Sequence, residues 1–269
     1  MKAKKSLGQH FLTSESALQA MVSGININNT IIEIGPGTGN LTEYILNTGA
    51  TTIVIETDER AIPILNNRFN KEIKEGRLKI IEGDVLEIDF LDIIDTPYEV
   101  IANIPYYISG AIFRHLFSSS KLAESITLLI QKEVAERIIS KDTKESILSL
   151  SIKAYGVPEY IMTVGAKDFD PAPKVDSAIL RVSNISRGLF IDNNIDEGVF
   201  FKVIKSSFGQ KRKTLVNNLK RDFEKVLILE ALEKNNLSDK VRPEEIGVDS
   251  WINLIKDLSH TNPCTRKKV

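Results

Sequence analysis

The sequence predicts an α/β domain built on a parallel sheet, followed by a small all-α domain. Three observations carry that reading. Short apolar runs that read as buried strands alternate with helical spacings through the first two thirds of the chain. The strand-like runs end in glycines, acids or an amide: Gly35 after Thr30–Ile34, Glu56 after Thr52–Ile55, Gly83-Asp84 after Leu78–Glu82, and Asn103 after Tyr98–Ala102. Ligands of open α/β sheets bind at that carboxyl edge. From Val199 to Leu258 the spacing is helical throughout. The expected division is residues 1–186 for the α/β domain and 187–269 for the helical one, with the polar, glycine-containing stretch Asn184–Gly198 as a linker.

The 269 residues, 42% hydrophobic and 26% charged, are enough for one large and one smaller core. The formal net charge of −1 gives no global field toward nucleic acid, so any such partner must be met by local charge. A single cysteine, Cys264, excludes an internal disulfide and a cysteine-based zinc site, and suits a reducing cytosol. The basic start Met1–Lys5 is followed by no long apolar run, which argues against a signal peptide or a membrane span.

Taken in order, Lys4–Leu12 is a basic arm that also holds Gln9, His10 and Phe11, a mixture suited to covering a cofactor or facing nucleic acid. A helix follows, with Thr13 or Ser14 as N-cap and Ala17, Leu18, Met21 and Val22 on one face. Thr30–Ile34 runs into Gly35-Pro36-Gly37-Thr38-Gly39, and Leu41–Leu46 is helical. Glycines between strand and helix let the backbone approach a nucleotide closely, although this G-x-G-x-G spacing is not the dinucleotide fingerprint. Glu56, closing the next strand, has two oxygens for the two hydroxyls of a ribose. Arg60–Lys74 is helical with Pro63 in its first turn, and Asp84 can accept from an adenine amine.

Asn103-Ile104-Pro105-Tyr106 then places four unusual groups at the same edge. The Asn103 amide oxygen can accept from an amine, and Pro105 fixes the backbone so that the Ile104 carbonyl can be aimed at it too. Tyr106 offers a face on which a base can stack. Beyond it, helices are expected over Tyr107–Phe113, 132–137 and Lys144–Tyr155, and strands over Ile126–Ile130, Glu159–Val164 and Ser177–Val182. Pro171 and Pro173 stiffen the loop that presents Phe169. Lys202–Arg221 carries seven cations and no acid, a one-signed run that reads as a phosphate contact, with Lys205, Lys211, Arg212 and Lys213 as candidate phosphate ligands. Ala231, Leu232, Leu237 and Trp251 should form the helical core, and 266–268 a basic tail.

Glu33–Gly39, Glu56, Gly83-Asp84-Val85 and Asn103–Tyr106 together resemble the S-adenosylmethionine-dependent adenine-N6 methyltransferases. Ser6–Leu12, Leu129–Arg137, Phe169–Ala178 and Phe208–Leu215 narrow the resemblance to the small-subunit ribosomal RNA adenine dimethyltransferases, over nearly the whole chain. The resemblance implies a Rossmann-like class I methyltransferase domain and S-adenosylmethionine as methyl donor, with no metal. It implies cofactor contacts from His10, Leu12, Gly35, Gly37, Glu56, Asp84 and Asn103, and catalytic roles for Asn103, Ile104, Pro105 and Tyr106, with Phe169 pressing on the target base. The implied partner is 16S rRNA within the 30S subunit, met by a cytoplasmic monomer. Two alternatives stand beside it: a large-subunit rRNA methyltransferase of the macrolide-resistance type, and a mainly non-catalytic 30S assembly factor.

Overall fold

The computed structural model describes residues 1, 8–139 and 144–260, the side chain of His260 excepted. The arm residues 4–7, Cys264 and the basic tail 266–268 lie outside the described residues. In chain order the strands are β1 (Phe11–Leu12), β2 (Thr30–Ile34), β3 (Thr52–Glu56), β4 (Leu78–Glu82), β5 (Tyr98–Asn103), β6 (Ser125–Gln131), β7 (Val157–Val164), β8 (Phe169–Asp170) and β9 (Ser177–Ser183). The helices of the α/β part are α1 (Glu15–Val22), α2 (Asn40–Asn47), α3 (Ala61–Arg68), α4 (Asn70–Lys74), α5 (Phe90–Ile93), α6 (Ser109–Ser118) and α7 (Lys132–Ile139). They are followed by α8 (Ile147–Tyr155), α9 (Gly188–Asn193), α10 (Glu197–Ser207), α11 (Leu215–Leu219), α12 (Lys225–Lys234) and α13 (Val248–His260).

Seven strands form one sheet in the order β4-β3-β2-β5-β6-β9-β7. The pairs from β4 to β6 are parallel, and β9 runs antiparallel to both its neighbours. Strands covered on both faces must be apolar along their whole length, and β2, β3 and β5 are buried at almost every position. The chain steps outward from β2 through β3 to β4 and returns to β5 on the other side of β2. The topological switch point therefore lies between β2 and β5, where α/β sheets open a crevice for ligands. The glycine turn follows one of these strands and Asn103–Tyr106 closes the other.

The chain divides into two compact units, Met1–Ile139 with Gly156–Ile185, and Ser140–Tyr155 with Ser186–Val269. The segment around α8, expected in the first domain, thus counts with the helical unit, where Tyr155 packs against Phe190 and stacks on Phe201. The expected linker is also structured. α9 interrupts it, and Phe190 is buried within the helical unit. Polar composition hid one apolar anchor among hydrophilic neighbours. The basic run is not one helix: its first part lies on α10, but Lys211, Arg212 and Lys213 lie in the exposed turn before α11, with Arg212 at φ +72°.

Candidate functional site

A cleft opens over the switch point, lined by the arm, the glycine turn, the ends of β3, β4 and β5, and Phe169. Gly35, Gly37 and Gly39 all have left-handed φ, at +67°, +55° and +86°. A side chain at Gly39 would meet the Phe69 ring at 2.5 Å, and one at Gly37 would meet Phe11 at 2.9 Å. The turn is therefore closed to any residue with a Cβ on both conformational and packing grounds.

Glu56 ends β3 with its side chain buried. One carboxylate oxygen accepts from the Gly37 N–H at 2.9 Å and the other from the Asp58 N–H at 2.8 Å. Each oxygen keeps a second lone-pair direction for a ligand hydroxyl. Asp84 accepts from the Leu86 N–H through one oxygen at 2.9 Å and is otherwise exposed at the cleft.

Asn103 donates its amide N–H to the His10 carbonyl at 3.2 Å. That bond turns the amide so that Oδ1 takes no donor among the described residues. The Tyr106 hydroxyl and the Ser177 hydroxyl are 2.6 Å apart, which fixes the ring against β9. Burial, partly offset by the Ser177 hydrogen bond, raises the Tyr106 pKa and keeps the phenol neutral. The His10 ring lies nearly parallel to that of Tyr106, with centroids 6.4 Å apart.

The arm is held at many points along its described length. β1 pairs antiparallel with β8, matching Phe11 to Asp170 and Leu12 to Phe169. His10 Nδ1 donates to the Pro171 carbonyl at 2.6 Å. Thr13 donates through both its N–H and its hydroxyl to the Asp168 carbonyl, and Asn40 donates to the Leu12 carbonyl. Gln9 donates to Asp58 at 2.9 Å, and the Arg60 guanidinium bonded to Asp58 holds that carboxyl well below the usual carboxylate range.

The cleft gathers every cofactor and catalytic candidate named from the sequence: His10, Leu12, Gly35, Gly37, Glu56, Asp84, Asn103, Ile104, Pro105, Tyr106 and Phe169. Phe169 needs a correction. It is not an aromatic face displayed by a free loop, because it belongs to β8 and is buried against Leu12, Leu41 and Ile101, with only part of its surface at the cleft wall. Pairing with the arm draws it inward. Lys205, Lys211, Arg212 and Lys213 belong to the helical unit and are exposed.

Gln9 and Phe11 are read from the sequence only as part of the arm, and four contributors receive no individual role there: Asn40, Asp58, Ser177 and, above all, Glu33. Glu33 is a buried acid among the apolar residues of β2, and an acid within an apolar run is a signal visible in the sequence. Thr42 donates to it at 2.6 Å, yet burial pushes its pKa up to about 8, and the nearby Glu56 charge adds to the shift.

A model of the ribosomal RNA adenine dimethylase family matches residues 1–260. The chain is 34% identical over 270 residues to a Dehalococcoides mccartyi protein named ribosomal RNA small subunit methyltransferase A, covering 98% of this chain and 91% of that one. It is 37% identical to the protein of the same name from Fusobacterium nucleatum, covering 95% and 97%. In structure it is similar to a dimethyladenosine transferase from Plasmodium falciparum, with a TM-score of 0.78, 25% identity, and coverage of 93% of this chain and 98% of that one.

Proposed function

This chain belongs to the ribosomal RNA adenine dimethylase family, and from that membership we propose that it dimethylates the N6 amines of two adjacent adenosines. The substrate loop is that of the 3′-terminal hairpin of small-subunit 16S rRNA, presented within the 30S particle, and the donor is S-adenosylmethionine. The observation that carries the proposal is the convergence of Glu56, Asp84 and Asn103 on one cleft, with Asn103 Oδ1 taking no hydrogen bond among the described residues. On this reading the protein works in the cytoplasm as a monomer.

The donor set fits the cofactor. Glu56 suits the two ribose hydroxyls, Asp84 the adenine amine, and the glycine turn admits backbone contact where a Cβ would collide. His10 and Leu12, held by β8 and Asn40, cover the site from the arm. When bound, S-adenosylmethionine supplies an electrophilic methyl group on a sulfonium.

The N6 lone pair of adenine is delocalised into the ring, so the residues must orient the amine rather than deprotonate it. Asn103 Oδ1 and the Ile104 carbonyl accept its two N–H bonds, favour a pyramidal nitrogen, and stabilise the positive charge that develops there. The proton is acidic after transfer and passes to water. Tyr106 stacks on the base and offsets the loss of its neighbours in the RNA, while Phe169, buried beside the cleft, adds to its wall. The amine must fit a second time for dimethylation.

Incubation of the protein with labelled S-adenosylmethionine and unmodified 30S or 50S subunits, followed by mapping of the label, tests the proposal. Label on two adjacent adenosines near the 3′ end of 16S rRNA is expected. Label on 50S subunits would favour the macrolide-resistance type, and rescue of 30S maturation without any transfer would favour an assembly factor.

A further inference from the structure

Two tyrosines follow Pro105, and the fold treats them oppositely. Tyr106 is partly buried, with its hydroxyl tied to Ser177. Tyr107 is 72% exposed, and among the described residues it is the one exposed aromatic side chain. It stands at the lip of the cleft, on the short turn Tyr106–Ile108 that leads into α6. The Ile108 N–H donates to the Pro105 carbonyl, and the Ser109 hydroxyl to the Tyr106 carbonyl, so the backbone beneath the ring is fixed. The ring borders Gly8, where an added Cβ would lie 3.4 Å from Tyr107 Cε1. Gly8 itself has φ +61°, so the arm passes beside the ring without a side chain between them. Tyr107 makes no ring contact or side-chain hydrogen bond among the described residues.

A planar ring held in water at the mouth of a cleft that takes a base is placed to meet the next base along the strand. We propose that Tyr107 is a stacking platform for the nucleobase adjacent to the target adenine, a substrate contact separate from the pocket that holds the target itself. The inference rests on the nucleic-acid reading above. When the target base enters the cleft, its neighbour in the single strand loses a stacking face, and an exposed aromatic ring replaces it whatever the neighbour's identity. Stacking is indifferent to base identity, so one platform serves both transfers although the base on its side of the target differs between them.

The test compares wild type with Tyr107→Leu, Tyr107→Ala, Tyr107→Phe and Tyr107→Trp, using labelled S-adenosylmethionine and unmodified 30S subunits. Loss of one base stack should raise the KM for subunits about tenfold in the Leu and Ala variants. Phe and Trp should restore it, since Leu keeps apolar area but not the flat face. Affinity for S-adenosylmethionine, measured by calorimetry, and the melting temperature should match wild type in all four. An unchanged KM in Tyr107→Leu overturns the proposal, as does a defect that Phe fails to restore or that appears equally in cofactor affinity. If wild type transfers no methyl group to 30S subunits, the broader reading fails with it, and that failure is visible without any variant.

Discussion

Asn103 shows how much a single amide orientation decides. Its N–H is committed to the His10 carbonyl, so its oxygen is left to face a ligand. Asn103→Ala should lower single-turnover methyl transfer roughly 10²–10³-fold, the size of effect seen when one preorganised polar group is removed from a reacting centre. Affinity for 30S subunits should stay near wild type if it rests, as proposed, on phosphate contacts elsewhere; equal losses in both assays would remove Asn103 from the chemistry. Glu56→Ala deletes the acceptor assigned to the ribose and should weaken S-adenosylmethionine binding by about 1.5–3 kcal/mol, read by titration calorimetry on a folded variant. Glu33 gives a pH prediction. Its folded pKa is raised to about 8 from an ordinary value of 4.5, so burial of the neutral acid is favourable below pH 4.5 and that contribution is lost as pH rises toward 8. Between pH 6 and 8.5 wild type should lose about 2 kcal/mol that Glu33→Gln does not lose. Parallel urea melts at the two pH values check this, and identical pH dependence in both proteins would show that Glu33 is already ionised when folded.

Among the elements, the pairing of β1 with β8 matters out of proportion to its two residues per strand. It carries His10 and Leu12 over the cleft and draws Phe169 into the core. The same strap rests on the glycine turn through Phe11, whose ring would lie 2.9 Å from a Cβ at Gly37. Gly37→Ala should therefore cost about 1–2 kcal/mol for its left-handed backbone, plus a steric part against Phe11. In a double-mutant cycle Phe11→Ala should relieve that steric part and leave the backbone cost, giving a favourable coupling of about 1 kcal/mol between neighbours in contact. Strict additivity in denaturant melts would mean that the strap does not bear on the turn.

For the whole molecule, net charge is misleading. The chain carries −1 overall, yet Lys202, Lys205, Lys211, Arg212, Lys213 and Lys220 are exposed and make no ion pair among the described residues. Replacing Lys211, Arg212 and Lys213 with Ala should weaken binding to 30S subunits and flatten its salt dependence by about 0.7–0.9 log units per lost phosphate contact. Affinity for S-adenosylmethionine should be unchanged, since these residues belong to the other unit. The melting temperature should also move little, because all three are exposed. An unchanged salt slope in the folded variant would reduce the run to a solvated face.

The sheet was legible in the sequence because strands buried on both faces are nearly pure apolar runs, and β2 and β3 fall where those runs fall. The candidate site was legible at Gly35–Gly39, Glu56, Asp84 and Asn103 because turn chemistry and strand ends are local properties. Other features depend on partners far away in sequence. Phe11–Leu12 becomes a strand only when Phe169–Asp170 comes beside it, and Phe169 leaves the surface for the same reason. Gln9 meets Asp58, and Tyr106 meets Ser177, through contacts no local pattern encodes. α9 forms within a polar stretch because Phe190 finds Tyr155 and Phe200. The sequence by itself determined the parallel sheet and the acids along its edge, since periodicity and turn residues act over a few positions. Only the tertiary structure decided which way the Asn103 amide faces, how the arm is strapped down, and which of two consecutive tyrosines is buried, because each depends on groups that meet only once the chain has folded.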